Sequence, residues 1–204
     1  MERLIALFFI SILLLGSCKK DEDNPVETTG WKGRFNSSGF PDVIGNYSFN
    51  TKQFMVVGTD GTRDVANALA MNVVVTQDKN KIMITNTDNS PSPGITILEA
   101  TALEGNIEKD GKFITNQYAT ANFEGIQGNV RLTYNVTGQF TPNGWSGDYV
   151  YTASPLNYNV TYTFTTTFTG DKINSSSMIL IKSEKVLNNQ LLDMMSILKK
   201  KLIK

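Results

Sequence analysis

Val130-Arg131-Leu132-Thr133-Tyr134-Asn135-Val136-Thr137-Gly138-Gln139-Phe140-Thr141 sets an apolar residue or glycine at every even position and a polar residue at every odd one. Successive side chains of a strand point to opposite faces, so this stretch buries one face and wets the other. The pattern returns over 157–169, where Tyr158, Val160, Tyr162, Phe164, Thr166 and Phe168 alternate with Asn and Thr. Alternation this regular marks antiparallel sheet, because parallel strands are generally covered on both faces. From Trp31 to Thr169 the chain is rich in Thr, Asn, Tyr, Val and Gly, the composition of twisted strands and tight turns.

Turn chemistry divides the stretch. Thr141-Pro142-Asn143-Gly144 offers proline for a fixed φ, then Asn and Gly for positive φ. Asp110-Gly111 is a short hairpin signal, and Asn89-Ser90-Pro91-Ser92-Pro93-Gly94 is a loop no strand could cross. The reading gives eight to ten strands, near 31–36, 45–50, 53–58, 71–76, 81–87, 94–104, 112–123, 128–141, 145–153 and 157–169. Asp64 to Ala70 stays open between a short helix capped by Asp64 and a strand running into Met71. The longest segments reach about 40 Å at ~3.3 Å per residue, well beyond the usual strand. Long, sequentially connected strands favour an up-and-down barrel, in which closure removes exposed edges. A barrel of about eight strands holds side chains or one small ligand. The expected fold is therefore all-β, an antiparallel up-and-down barrel over 30–177.

The two ends differ from this body. Leu4 to Leu15 form an apolar run after Arg3, broken only by Ser11. As a helix it reaches about 18 Å, short of a ~30 Å hydrocarbon core, which suits a signal peptide over 1–17. Leu15-Gly16-Ser17-Cys18 resembles the bacterial lipobox, and Cys18 is the sole cysteine. The resemblance implies cleavage before Cys18 and lipidation of its thiol, with the membrane as partner through that lipid. Two acyl chains already suffice for stable anchoring. Residues 18–29 read as a solvated tether. Lys19-Lys20-Asp21-Glu22-Asp23-Asn24 within it resembles the surface-export signal of Bacteroidota lipoproteins, which implies the outer membrane; periplasmic and cell-surface faces both stay open. At the other end, Val186, Leu187, Leu191, Met194, Met195, Leu198 and Leu202 follow the spacing of an amphipathic helix within a tail at 178–204. Residues 18–177 hold 12 basic and 16 acidic groups and the tail 6 and 2, which sets the tail apart as its own unit. Packing on the barrel wall, a partner and a membrane surface are its candidate roles.

Composition then narrows the chemistry. The chain has no histidine, so Ser-His-Asp and Cys-His mechanisms are excluded, and a zinc site would need an all-carboxylate shell. Paired carboxylates could serve glycoside hydrolysis, but Glu99, Glu104, Glu108, Asp110, Glu124 and Asp148 mostly sit beside turn signals. Asp60-Gly61-Thr62-Arg63-Asp64 lacks the ligand density of a calcium loop and reads as a turn. With 19 basic and 19 acidic residues and no basic stripe, nucleic acid is not an expected partner. No enzyme and no cofactor is expected.

Gly30-Trp31-Lys32-Gly33-Arg34-Phe35, Gly144-Trp145-Ser146-Gly147-Asp148-Tyr149 and Phe168-Thr169-Gly170-Asp171-Lys172 resemble the strand motifs of Bacteroidota lipocalin-like (calycin-like) lipoproteins over about 30–173. The first departs from the family's order, since Trp31 directly follows Gly30. The resemblance implies an apolar cavity for a small hydrophobic molecule. Trp31, Tyr134, Trp145, Tyr149, Tyr151, Tyr162 and Phe164 are the candidate lining, with Tyr158 on the same stripe. Core packing, with tryptophans closing the barrel ends, is the competing role for these rings. A surface module that binds glycan or protein through its loops is the alternative function, and an integral outer-membrane barrel a third.

Overall fold

The structure, a computed structural model, describes residues 30–87, 94–173, 195–200 and 202. The expected signal peptide, Cys18 and the expected tether lie outside the described residues. Eleven strands follow in order: β1 (Gly45–Thr51), β2 (Phe54–Gly58), β3 (Arg63–Ala66), β4 (Ala70–Asp78), β5 (Lys81–Asn86), β6 (Ile95–Ala100), β7 (Leu103–Ile107), β8 (Lys112–Phe123), β9 (Asn129–Thr141), β10 (Gly144–Pro155) and β11 (Tyr162–Ile173).

Several of these are halves of one longer strand. β1 pairs with β4 from Gly45↔Val75 to Asn50↔Ala70, and β2 pairs with β3 in the same register, from Phe54↔Ala66 to Val57↔Arg63. The Thr51 amide donates to the Leu69 carbonyl at 2.8 Å and carries that register across the interruption. β6 and β7 likewise both run along β8, with the register shifting between Ile97 and Glu99. Counted this way the wall is eight antiparallel strands, each beside the next in sequence, closed where β1 meets β11. It is the up-and-down barrel that strand length and alternation predict.

Three local expectations change. Residues 31–36 form no strand; Phe35 makes a single bridge to Pro41. The Asn36 side chain accounts for this by organising a turn: its Oδ1 accepts from the Ser38 and Phe40 amides, and its Nδ2 donates to the Lys79 carbonyl at 2.8 Å. The last strand begins at Tyr162, not at Asn157, and runs past Gly170 to Ile173. Tyr158 instead turns the chain, its amide donating to the Pro155 carbonyl at 3.1 Å. Arg63–Ala66 is strand, which resolves the Asp64 to Ala70 ambiguity in favour of sheet.

Inward positions alternate as the sequence requires: Phe113, Ala119, Ala121 and Phe123 on β8, Val130, Leu132, Val136 and Phe140 on β9, Trp145, Tyr149, Tyr151 and Ala153 on β10. A short helix, α1 (residues 195–200, with 202 also helical), joins the same apolar core through buried Ile197 and Leu198. Met195 and Leu202 pack against it less completely. The rest of the predicted tail helix lies outside the described residues.

Candidate functional site

The inward side chains build two linked clusters of rings. Trp145 is the hub of one, with centroids 5.6 Å from Tyr47, 5.5 Å from Phe49, 5.4 Å from Phe140 and 5.0 Å from Phe168. Tyr151 is the hub of the other, stacked on Phe164 at 4.3 Å and lying 5.4 Å from Phe54, 5.9 Å from Tyr134 and 5.7 Å from Tyr149. Phe49 and Tyr149, 5.5 Å apart and edge-on, join the two. Such offset and edge-to-face pairs favour the ring quadrupoles as well as burying area.

Six of the seven residues predicted to line a cavity do face the interior. Trp145, Tyr149, Tyr151, Tyr162 and Phe164 are buried and Tyr134 is half-buried. Tyr151 meets Tyr134, Tyr149 and Phe164 ring to ring. Trp31 lies elsewhere: its ring packs over Gly33 and beside Gly111 of the β7–β8 turn, and its Nε1 donates to the Arg34 carbonyl at 3.0 Å. It covers a barrel end. Sequence reasoning overlooked Phe49, Phe54, Phe113 and Phe140, although parity along each strand places every one inward.

Hydroxyls among the rings reach the edges of the core. Tyr47 donates to the Val43 carbonyl at 2.9 Å, and Tyr162 to Asp60 Oδ2 at 3.2 Å. Burial, followed by the neighbouring Asp60 carboxylate, pushes the Tyr162 phenol up to about 12. Burial also drives Tyr47 and Tyr134 far above the ordinary phenol range, with Asp42 adding to the first and Tyr149 to the second. Asp60 is held below the usual carboxylate range, chiefly by the Thr62 amide and then the Thr62 hydroxyl, with Tyr162 adding to them. This Asp60 turn is tied down by its own chain. Among the described residues no cluster of three or more His, Cys, Asp or Glu could hold a metal.

The outer wall has the opposite chemistry. Over Ile114–Thr120 of β8, Arg131–Thr137 of β9, Asp148–Ser154 of β10 and Thr163–Thr167 of β11, the outward residues are mostly Thr, Asn and Ser. Their only charges are Arg131 and Asp148, at opposite ends of the face. On these four strands the hydroxyl-rich outside is the reverse of a lipid-facing wall, whereas Met55, Val57 and Val65 are exposed on β2 and β3. On β8, the strand at one edge of this face, Tyr118 is 59% exposed, and across that edge Glu104 pairs with Asn116 and Glu99 with Thr120. Tyr118 is seated by Thr101, whose Oγ1 accepts the Tyr118 amide at 2.9 Å. Thr133 pairs with Tyr118 across β9, and Asn135 Nδ2 donates to Asn116 Oδ1 at 2.7 Å alongside. A separate open groove of about 470 Å³, lined among others by Gln77, Asp78, Lys81, Met83, Glu104 and Asn106, holds one of the carboxylates weighed from sequence, Glu104, and none of the candidate aromatic lining.

No protein-family model matches the chain, and no curated protein or solved structure matches it either.

Proposed function

We propose that this is a lipid-anchored, non-enzymatic binding protein of the outer membrane that engages a neutral glycan on the outer face of β8–β11. The observation that carries the reading is the division of labour between the faces. The interior rings contact one another, whereas the outer face presents an exposed Tyr118 among amides and hydroxyls, with Glu99 and Glu104 on the neighbouring strands to oppose an anionic glycan. An aromatic face flanked by planar amides suits the alternating apolar and hydroxyl surfaces of a sugar ring. The Asn116–Asn135 pair, as oriented, keeps one amide nitrogen and one amide oxygen for a guest. The lipobox-like Leu15-Gly16-Ser17-Cys18 and the absence of histidine support the anchored and non-catalytic parts of the reading.

A glycan array tests it. Binding to uncharged oligosaccharides that is lost in Tyr118→Ala and kept in Tyr151→Phe is the expected result. Binding unaffected by Tyr118→Ala, or an array without a hit, rejects the assignment.

A further inference from the structure

The open groove of about 470 Å³ and the face that carries Tyr118 are parts of one outer surface. Paired residues share a face, and Thr76↔Met83, Met83↔Glu104 and Glu104↔Asn116 form one row from β4 to β8. Asp78↔Lys81, Lys81↔Asn106 and Asn106↔Ile114 form the row beside it. Val75 and Ile82 are buried on the inner face, so parity turns Thr76, Asp78, Lys81 and Met83 outward. Groove and face meet at Glu104, which lines the one and stands opposite Asn116 of the other.

We propose that the groove is a second sugar subsite, and that the ligand is an uncharged oligosaccharide long enough to run from Tyr118 across the Asn116–Glu104 pair into it. The inference rests on the glycan reading and extends it to chain length. Half-buried Met83, between Thr76 and Glu104, gives the groove an apolar floor. Asp78 and Glu104 supply acceptors and Lys81 a donor, and among the described residues Lys81 is ion-paired with neither. Asn80 Nδ2 lies 3.5 Å from Asn106 Oδ1, so the Asn106 amide keeps its nitrogen as a second donor. A sugar hydroxyl both donates and accepts, and it can use donors and acceptors set side by side. Three strand spacings of ~4.8 Å separate β8 from β4, and Tyr118 lies two residues along β8 from Asn116, so the path over the wall is about 16 Å. A disaccharide is too short to occupy both ends.

The test titrates the full chain carrying Cys18→Ser, by calorimetry, with graded oligomers of glucose, mannose and N-acetylglucosamine from disaccharide to hexasaccharide. In a series that binds, the hexasaccharide should bind about tenfold or more tightly than the disaccharide, which corresponds to one charge-assisted hydrogen bond. Asp78→Ala combined with Lys81→Ala should bring that ratio down toward one, and Tyr118→Ala should abolish binding at every length. Affinity that does not rise with length, or a rise that the double variant leaves intact, overturns the second subsite. Disaccharide binding lost in Tyr118→Ala would in that case still uphold the glycan reading. No binding by any series rejects both. Should the double variant not fold, the length dependence of the chain with Asp78 and Lys81 in place decides by itself.

Discussion

The indole N–H of Trp145 donates to the carbonyl of Ser48 at 2.8 Å, passing over Gly170 on the strand between them. β10 and β1 are not neighbours; β11 separates them. The β1–β11 ladder skips from Tyr47↔Lys172 to Asn50↔Thr169 at this level, which frees the Ser48 carbonyl for the indole. The Ser48 hydroxyl repairs the other side of the gap by accepting the Asp171 amide at 2.9 Å. A Cβ on Gly170 would overlap the Ser48 carbonyl and fall 2.5 Å from the indole nitrogen.

Gly170→Ala should therefore destabilise the protein by about 3 kcal/mol or more, since backbone cannot yield as a side-chain tip can. Trp145→Phe should cost about 2 kcal/mol, mostly from leaving the Ser48 carbonyl unpaired. Urea denaturation followed by circular dichroism measures both. The double variant should lose less than the sum, because both changes break one contact.

Truncating a ring inside the barrel and one outside should have opposite consequences. Phe164→Ala removes a stacked partner of Tyr151 and should cost about 3–5 kcal/mol. Tyr118→Ala changes an exposed side chain and should stay within about 0.5 kcal/mol. Equal losses in chemical denaturation would contradict the assignment of the two faces.

Alkaline stability follows from the phenols. Tyr162 titrates near 10.0 when unfolded and at about 12 when folded, so the native state holds its proton longer. Its contribution is complete below pH 10 and is lost as the pH rises from 10 to about 12. Tyr47 and Tyr134 shift in the same direction and steepen the loss. Tyrosinate absorbance at these residues should rise together with unfolding, and Tyr162→Phe should flatten the stability profile above pH 10.

Attachment has its own test. Labelled palmitate should enter the unaltered protein in its native host and be absent from Cys18→Ala, which should then leave the membrane fraction. Label retained by the variant would remove the lipid anchor from the proposed function.

Alternation over 130–141 was enough to read β9 and its neighbours, because burial of one face imposes period two on the sequence itself. Turn residues located the hairpins at Asp110-Gly111 and Pro142-Asn143-Gly144 for the same local reason. The strand at 31–36 was misread because the Asn36 turn that replaces it depends on a distant carbonyl, that of Lys79. Gly170 looked like a terminator since its reason for being glycine is the Ser48 carbonyl of another strand, with the Trp145 indole behind it. Six of the seven candidate lining residues were legible as inward, because parity says which way a ring points, while only the closed wall says which rings it meets. Tyr118 was passed over although it stands on the polar parity of β8, against Phe113 and Phe123 on the apolar one.

The single register that runs through β1–β4 and β2–β3, and the pairing of every wall strand with its successor, also set the order of assembly. Each such pairing closes a short loop, so the wall can zip up strand by strand from hairpins with little entropy lost per step. The seam is the exception, because Asn46 must find Ile173 across nearly the whole barrel sequence. Closure is therefore the slow, late event, and the Trp145–Ser48 clasp lies on the joint that forms last. The chain exposes its aromatic interior until that joint is made, so the interval before closure is when it most needs protection from aggregation.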